Sequence, residues 1–393
     1  MSASEGKRLM KGNEAIAEAA IRAGCTAYFG YPITPQNEII AYMAQHMLDR
    51  GRIFIQAESE VAAINMVYGA SAAGARAMTS SSSPGISLKQ EGMSYAAGAD
   101  IPLVLVNVVR GGPGLGSIAP SQSDYFQSTR GGGHGDYRSI VLAPKSVQEC
   151  ADLTYLAFDL ADQYRVPVIL LADGMIGQMM EGVILPPERP LPELPKRDWT
   201  VGGMAGRDSQ SRESQSRESR SQDARSRESR SRDARHITSI NLVPDELEAK
   251  TRARFRRYEE IKAKETRYEL TGEGADGGAD LTLAAYGTSA RVALGAQKLA
   301  EKEGIKLGLF RPITLWPFPY APLAKIAAAG KPILTVEMSM GQLVEDVKLA
   351  AAEADRVPRA PVFLLGHSGG VIPTEEEVFA EAKRIISAQG KKV

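Results

Sequence analysis

Apolar and polar positions alternate along two long stretches of the chain, with short apolar runs between amphipathic segments. In the first stretch the apolar runs predict strands, at 26–30, 52–56, 75–79, 102–109 and 167–173. The segments between them predict helices, at 11–24, 37–49, 59–74, 87–97 and 146–163. Regular alternation of strands and helices predicts a parallel sheet with helices on both faces.

The second stretch begins near residue 280 and repeats this alternation. Its predicted strands are 281–286, 306–310, 332–337 and 361–365, and its predicted helices are 289–303, 320–329 and 341–352. The predicted fold class is therefore α/β, with two doubly wound, mostly parallel-sheet domains joined by a long linker. We assign these domains to residues 1–195 and 278–393.

Composition changes abruptly between the two stretches. Residues 211–235 are five pentads, SRESQ, SRESR, SQDAR, SRESR and SRDAR, and a period of five fits neither a helix face nor a strand. We assign 196–243 to the linker and 207–235 to its repeat tract. A disordered linker is favoured over a charged arm that contacts RNA or protein, because mixed charges release few counterions from a polyanion.

The polar segment 244–270 is predicted as a charged connecting helix. Its thin apolar stripe consists of Leu247, Phe255, Tyr258 and Ile261. Packing of this stripe along a domain or subunit surface is favoured over attachment to a membrane.

Charge and hydropathy exclude several classes of protein. Lys plus Arg and Asp plus Glu both number 47, so a nucleic-acid binder driven by net charge is not expected. No apolar run approaches the roughly 20 residues of a membrane span, and the first residues lack the apolar core of a signal peptide. We therefore expect a cytoplasmic protein without membrane contact.

Cysteine and histidine are too few to predict a metal centre in this chain. Cys25 and Cys150 are predicted to be buried, reduced thiols, whereas a 4Fe–4S cluster normally needs four thiolates. The four histidines are widely spaced, which disfavours a zinc site. No metal ligand is predicted.

One candidate ligand-binding loop is GYPITP at 30–35, between a predicted strand and a predicted helix. This is the sheet edge at which doubly wound proteins bind ligands. Pro35 biases Thr34 away from the helical region, so the Thr34 hydroxyl can project outward. A plain N-cap formed by Thr34 or Asn37 explains the loop equally well.

Two acids, Glu58 and Glu60, follow the next predicted strand and precede the apolar run VAAI. A carboxylate here can simply favour the helix dipole. An acid at the edge of a buried interface instead holds its proton more readily and can exchange it with a heterocycle nitrogen. The turn SSSSPG at 80–85 is compatible with anion binding through backbone amides and with simple capping.

Arg110 follows the strand 102–109 and precedes the loop GGPGLGS at 111–117. Because such a loop leaves room for a small ligand and guanidinium pairs with carboxylates, a binding role is favoured over an exposed loop arginine. His134 is a possible acid or base, but a lone histidine is a weak signal. The glycines do not form a dinucleotide fingerprint, so a nicotinamide enzyme is poorly supported.

Together these segments resemble the alpha subunit of 2-oxoacid:ferredoxin oxidoreductases. The resemblance covers nearly all of the chain except the repeat tract. It is carried by GYPITP (30–35), ESEVAAINMVYGAS (58–71), SSSSPGISLKQEG (80–92), NVVRGGPG (107–114), AYGTSAR (285–291), RPITLWPFP (311–319) and EMSMGQLVEDVKLA (337–350). The segment 114–144 is most similar to the branched-chain type, which oxidises 3-methyl-2-oxobutanoate (2-ketoisovalerate), and is less similar to the 2-oxoglutarate type.

The resemblance implies a thiamine diphosphate pyrimidine-binding fold followed by a transketolase C-terminal-like fold. It implies a hetero-oligomer in which a beta subunit supplies the diphosphate and Mg²⁺ half of the site, marked by a Gly-Asp-Gly motif that this chain lacks. Gamma and ferredoxin-like delta subunits complete the complex, with 4Fe–4S clusters on partner subunits only. Coenzyme A is the co-substrate and ferredoxin accepts the electrons.

The resemblance also assigns roles to single residues. Glu60 would hydrogen-bond the ring nitrogen of the aminopyrimidine, and it is preferred over Glu58 because of the register of the motif that follows. Thr34 would hydrogen-bond the bound 2-oxoacid, and Arg110 would pair with its carboxylate. The other contacts implied are Tyr31, Pro32, Ser83 and Pro84 to the cofactor and Gly111 and Gly112 to the substrate.

Rival functions stay open at this point. A 2-oxoglutarate or pyruvate ferredoxin oxidoreductase subunit, or a thiamine enzyme coupled to lipoamide, would share most of these features. A different class is a non-catalytic scaffold whose Ser/Arg tract binds RNA or protein.

Overall fold

The computed structural model describes residues 6–191, 194, 197–201, 237–355 and 358–390. The repeat tract predicted at 207–235 lies outside them. The strands in this part are β1 (Arg8–Lys11), β2 (Ala27–Gly30), β3 (Ile53–Gln56), β4 (Ala77–Ser81), β5 (Leu103–Val109), β6 (Ile140–Leu142), β7 (Pro167–Asp173), β8 (Met180–Val183), β9 (Tyr268–Thr271), β10 (Leu281–Ala284), β11 (Leu307–Pro312), β12 (Thr314–Trp316), β13 (Ile333–Glu337) and β14 (Val362–Gly366).

The described helices alternate with these strands. They are α1 (Gly12–Arg22), α2 (Asn37–Asp49), α3 (Glu60–Ala72), α4 (Ser83–Gly98), α5 (Tyr125–Arg130), α6 (Val147–Tyr164), α7 (Gly174–Gln178), α8 (Pro244–Glu265), α9 (Gly287–Lys302), α10 (Tyr320–Ala327), α11 (Leu343–Ala352) and α12 (Glu375–Ala388).

The first large sheet has the strand order β12–β6–β7–β5–β4–β2–β3. All neighbours are parallel except β12, which pairs antiparallel with β6 at the edge. Every residue of the central strands β5 and β7 is buried. Because helices cover both faces, these strands can be apolar almost throughout, as their sequences predict.

The second sheet has the order β14–β13–β10–β11–β9, with β9 antiparallel to β11 and the other neighbours parallel. The predicted α/β fold class with mostly parallel sheets is confirmed. A small antiparallel ribbon of β1 and β8 accompanies the first sheet.

The predicted helix 244–270 is too long. Helix α8 ends at Glu265, and residues 268–271 form the edge strand β9. The chain leaves the helix at Thr266, whose backbone is extended, and Tyr268 then stacks on Phe310 of β11. This pairing joins residues about 40 positions apart, so local propensity does not reveal it.

The stripe predicted on this helix packs only in part. Tyr258 and Ile261 are buried and Phe255 is partly buried, but Leu247 is exposed. The Tyr258 hydroxyl accepts a hydrogen bond from the backbone N–H of Arg138, 3.1 Å away. Helix α8 therefore packs along the first sheet unit, and Leu247 is a correction to the prediction.

Two further helices differ from the sequence prediction. Helix α4 begins at Ser83 rather than at residue 87, because Pro84 fits the first helical turn, where no backbone donor is lost. The C-terminal helix α12 was not predicted, although it begins with a complete capping box of Thr374 and Glu377.

The two sheets meet at their carboxyl edges. Asp173, the last residue of β7, accepts hydrogen bonds from the backbone N–H and the hydroxyl of Thr288, at 2.8 and 2.6 Å. Gln122 donates to the Tyr286 carbonyl and accepts from the Met338 N–H. Burial raises the pKa of the Asp173 carboxyl, and the two hydrogen bonds from Thr288 offset part of the cost of burying its charge.

Both cysteines are buried and unpaired, as predicted, and burial raises the pKa of the Cys25 thiol to about 12. None of the described helices combines the length and apolar character that crossing a bilayer requires.

Candidate active site

The predicted site residues lie at the carboxyl edge of the first sheet. The order β5–β4–β2–β3 places the loops that follow these four strands side by side. Thr34 follows β2, Glu60 follows β3, Ser83 follows β4 and Arg110 follows β5. Residues separated by up to 76 positions are thereby brought to one edge, where doubly wound sheets bind ligands.

Glu60 is the first residue of α3 and is 6% exposed. The side chain of Ser59 caps the helix by accepting from the Ala62 N–H, so Glu60 is not needed as a cap. The Glu60 carboxylate accepts no hydrogen bond from the residues that the structure describes. Glu58, by contrast, is exposed. Only one of the two acids therefore has the buried position that proton exchange with a ligand requires.

The Glu60 carboxylate lies directly against Gly85 of α4. A Cβ atom on Gly85 would overlap Glu60 Oε1 and Ser81 Oγ. The hydroxyls of Ser81 and Ser82 are buried and have no hydrogen-bond partner among the described residues. Buried hydroxyls without partners are costly. The cluster of Glu60, Ser81 and Ser82 around Gly85, called the cradle below, therefore fits a ligand that brings its own polar groups.

Lys89 lies one helical turn beyond Gly85 on the same face of α4. Its side chain is fully buried, and its ammonium donates to the Glu60 carbonyl, 3.3 Å away. Burial lowers the pKa of Lys89 to about 8, and the Glu60 carboxylate opposes that shift. The sequence analysis did not identify Lys89. Its spacing of four residues from Gly85 indicates a position near Glu60 only when Gly85 is already known to face Glu60.

Arg110 joins the two loops that flank the cradle. Its guanidinium donates to the carbonyls of Thr34 and Leu115, both at 2.9 Å. Its buried Nε has no partner among the described residues. The Arg110 N–H donates to the Ser83 hydroxyl at 3.1 Å, which ties the first turn of α4 to the same cluster. The predicted pairing of Arg110 with a substrate carboxylate stays a prediction.

The GYPITP loop rests on a buried polar relay that the sequence did not reveal. Tyr28 and Ser80 share a hydrogen bond of 2.6 Å, and Ser80 donates to Gln36. Gln36 in turn donates to the Tyr31 carbonyl. The loop leaves Tyr31 half-buried and Pro32 exposed, while Thr34 Oγ1 accepts from the amide of Asn37 at 3.3 Å.

The glycine-rich loop after Arg110 is covered by the second sheet unit. A Cβ atom on Gly111 would lie 3.0 Å from the carbonyl carbon of Gly369, in the loop after β14. One on Gly370 would overlap Ala119. Only side-chain-free residues allow this approach, and Gly112 beside it has open space.

His134 does not join the cluster described above. It is exposed in a loop whose Gly132 and Gly133 pack against Gln90 and Ser94 of α4. A cleft of about 890 Å³ also lies elsewhere, between α8 and the segment after β12, and contains none of the predicted site residues.

Two family models match the chain. One, described as pyruvate flavodoxin/ferredoxin oxidoreductase, thiamine diphosphate-binding, matches residues 18–240. The other, pyruvate:ferredoxin oxidoreductase core domain II, matches residues 279–378. Among curated relatives, the ketoisovalerate oxidoreductase subunit VorB of Methanothermobacter marburgensis is 46% identical over 96% of this chain and 97% of its own length. The 2-oxoglutarate synthase subunit KorA of the same organism is 36% identical, over 94% and 96%.

Two solved structures are also similar to this chain. A 2-oxoglutarate:ferredoxin oxidoreductase from Magnetococcus marinus, with 2-oxoglutarate, coenzyme A and succinyl-CoA bound, aligns with a TM-score of 0.79 and 28% identity. The alignment covers 97% of this chain and 66% of that one. A split-gene transketolase, at a TM-score of 0.57 and 14% identity, shares the fold alone.

Fold, site and matches define an oxidoreductase subunit with a thiamine diphosphate-binding domain. The chain belongs to the 2-oxoacid:ferredoxin oxidoreductase family, in which its relatives are subunits of larger enzymes.

Proposed function

We propose that this chain is the alpha subunit of an enzyme that oxidatively decarboxylates 3-methyl-2-oxobutanoate to its acyl-CoA and passes the electrons to ferredoxin. Residues 1–195 would form the pyrimidine-binding domain and 278–393 the transketolase C-terminal-like domain. The observation that carries the proposal is the buried Glu60 carboxylate, which lies against Gly85 without a hydrogen-bond donor from the described residues.

The residues present fit the pyrimidine side of thiamine diphosphate. Glu60 would share a proton with the ring nitrogen, because a buried carboxyl group without partners is a strong acceptor for such a contact. The orphaned hydroxyls of Ser81 and Ser82 would meet the polar groups of the ring. When bound, the cofactor supplies the nucleophilic carbon that attacks the 2-oxo group. The remaining predicted contacts are Tyr31, Pro32, Ser83 and Pro84.

Substrate binding is proposed at the two loops that Arg110 joins. Thr34 would hydrogen-bond the 2-oxoacid, and Arg110 would pair with its carboxylate through Nε or by releasing one loop carbonyl. Gly111 and Gly112 would leave room for the branched side chain. Such a pocket distinguishes substrates by about 1–3 kcal/mol per methylene.

A partner subunit is proposed to complete the site. Large apolar side chains next to the site residues are exposed: Val61 by 43%, Leu88 by 53%, Ile118 by 66% and Leu115 by 80%. Exposed apolar groups clustered around a polar cleft are typical of a protein interface. We propose that a beta subunit covers them and supplies the diphosphate and Mg²⁺ half. Gamma and ferredoxin-like delta subunits would complete the complex, with the 4Fe–4S clusters on partner subunits only.

The test is Glu60→Gln in the complex purified with its partner subunits. We expect turnover with 3-methyl-2-oxobutanoate, coenzyme A and ferredoxin to fall by on the order of 10²–10⁴-fold, because Gln cannot exchange a proton. Glu58→Gln is the matched control and should retain activity, since Glu58 is exposed two residues away. Near-normal turnover of Glu60→Gln would rule out this role.

Substrate class needs a separate comparison of kcat/KM values. The relatives described above include both ketoisovalerate and 2-oxoglutarate enzymes, at 46% and 36% identity. We expect a higher kcat/KM for 3-methyl-2-oxobutanoate than for 2-oxoglutarate or pyruvate. Reduction of ferredoxin without lipoamide would separate this enzyme from a lipoamide-coupled one.

A further inference from the structure

Lys89 is a buried charge that the roles proposed above do not use. Its side chain is fully buried, and the hydrogen bond recorded for its ammonium goes to the Glu60 carbonyl, 3.3 Å away. Taking an ammonium out of water costs several kcal/mol unless a partner compensates. In a surface helix a lysine would avoid that cost by extending into solvent. The buried position therefore needs a reason.

The geometry around Lys89 points to Glu60 as that reason. Gly85 and Lys89 are four residues apart on α4, so they face the same neighbour. That neighbour is the first turn of α3, where the Glu60 carboxylate lies against Gly85. Glu60 is the one acid or base that electrostatically raises the pKa of Lys89.

Other titratable or charged groups on the elements around α4 are farther from this contact or engaged elsewhere. Tyr68 lies at the far end of α3, Asp173 is held by Thr288, and Glu91 accepts from Tyr95 on the exposed side of α4. Asp124 accepts from Asn107, and Arg110 donates to loop carbonyls. Of these groups, Glu60 is the one that Lys89 contacts, through the Glu60 carbonyl.

We propose that Lys89 is a positioning residue for Glu60, which anchors the first turn of α3 through the Glu60 carbonyl and favours the carboxylate form of the Glu60 side chain. This inference rests on the function proposed above. With thiamine diphosphate bound, the Glu60 carboxyl oxygen would pass its proton to the ring nitrogen, and no electron would be transferred. A neighbouring cation favours this transfer because it stabilises the carboxylate that remains.

The effect of Lys89 on Glu60 is limited to the pH range in which Lys89 is charged. Because burial lowers the pKa of Lys89 to about 8, its ammonium is present at neutral pH and is lost above that value. The cationic form of Lys89 is therefore available to Glu60 only below about pH 8. An arginine at this position would keep its charge throughout.

The experiment measures thiamine diphosphate binding to the complex of this chain with its partner subunits. Isothermal titration calorimetry from pH 6 to 9.5, in buffers with different ionisation enthalpies, gives the number of protons taken up on binding. In the wild type, uptake should change near pH 8, where the ammonium of Lys89 is lost. In Lys89→Met this change should be absent and uptake at pH 6–7 should be lower than in the wild type, since the cation that favours the carboxylate has been removed.

Two controls separate a positioning role from a structural one. Lys89→Arg should keep the wild-type uptake at pH 6–7 and abolish the change near pH 8. Lys298→Met, which removes an exposed lysine of α9, should match the wild type at every pH. If Lys89 had only a structural role, its substitution would alter stability without altering proton uptake.

The outcomes distinguish this inference from the proposed function. Glu60→Gln should take up no proton at any pH; if it still does, the role of Glu60 itself fails. If Glu60→Gln loses uptake while Lys89→Met keeps the wild-type uptake at every pH, only the role of Lys89 is overturned. If the Lys89 variants do not assemble, the pH dependence of proton uptake by the wild-type complex remains as the test. A wild-type complex without a change in uptake near pH 8 would overturn the inference.

Discussion

Two buried glutamates, one in each sheet unit, lie where a strand leads into the next helix, and they differ in how many hydrogen bonds their carboxylates accept. Glu60 follows β3 of the first sheet and opens α3, and Glu337 ends β13 of the second sheet just before α11. Glu337 accepts four hydrogen bonds, from the Ser339 hydroxyl and from the N–H groups of Gln342, Leu343 and Val344, at 2.5–3.1 Å. Glu60 accepts none from the described residues.

The difference separates a structural carboxylate from a functional one. Four donors consume the acceptor capacity of Glu337, so it holds the β13–α11 turn together and has little left for a ligand. Asp346 on α11 is likewise saturated, by the hydroxyls of Tyr125 and Tyr320 and the guanidinium of Arg130. The second sheet thus uses its carboxyl edge to dock on the first, whose own edge keeps unpaired polar groups.

Filling the space beside Glu60 should have the largest effect after Glu60→Gln itself. In Gly85→Ala the added Cβ would overlap Glu60 Oε1 and Ser81 Oγ, so the carboxylate must move. We expect turnover of the assembled enzyme to fall on the order of 100-fold, since a displacement of about 1 Å in a catalytic group costs that much.

Gly69→Ala is the matched control for this substitution. Gly69 lies on the exposed side of α3, and an added Cβ would meet nothing within 4 Å. Turnover should be unchanged, and the helix should gain up to about 1 kcal/mol of stability. Equal activity of both alanine variants would contradict the packing argument.

Removing the charge of Glu337 should affect stability instead of chemistry. Glu337→Gln weakens charge-assisted hydrogen bonds, so we expect the free energy of unfolding in urea to fall by about 2 kcal/mol. Glu60→Gln should lower it by less, because no hydrogen bond from the described residues is lost and only the electrostatic contribution of the Glu60 charge to Lys89 is removed. Equal effects of the two substitutions on stability would contradict the distinction between a structural Glu337 and a functional Glu60.

Deleting residues 207–235 should have the smallest effect of all. The tract lies outside the described residues, and its composition favours a linker with no apolar surface to bury. We expect kcat and KM of the reconstituted complex to match those of the full chain. Loss of activity on deletion would mean that the pentads do more than connect two domains.

The sequence predicted most of the parallel strands, including the edge strands β3 and β14, but missed the short strands β6, β9 and β12. Strands β5 and β7 are near-continuous apolar runs, and such runs identify buried strands without any tertiary information. The edge strands β9 and β12 were missed because they are three or four residues long and depend on partners far away in the chain. Pairing of that kind is decided by packing, not by local propensity.

The candidate site divides in the same way. Motif resemblance proposed Thr34, Glu60 and Arg110, and the structure brings all three to one sheet edge. The relay through Gln36 and the buried Lys89 were not predicted, because their partners lie 44 and 29 positions away. Neither residue type signals burial by itself, since glutamine and lysine are usually exposed.

The amino-acid sequence by itself determined the alternation of strands and helices, the family resemblance and the loops from which a site could be built. The tertiary structure alone decided which of two acids is buried, what lies against it and which charge accompanies it. Periodicity and turn chemistry act between near neighbours, whereas burial and electrostatic pairing depend on residues that only the folded chain brings together.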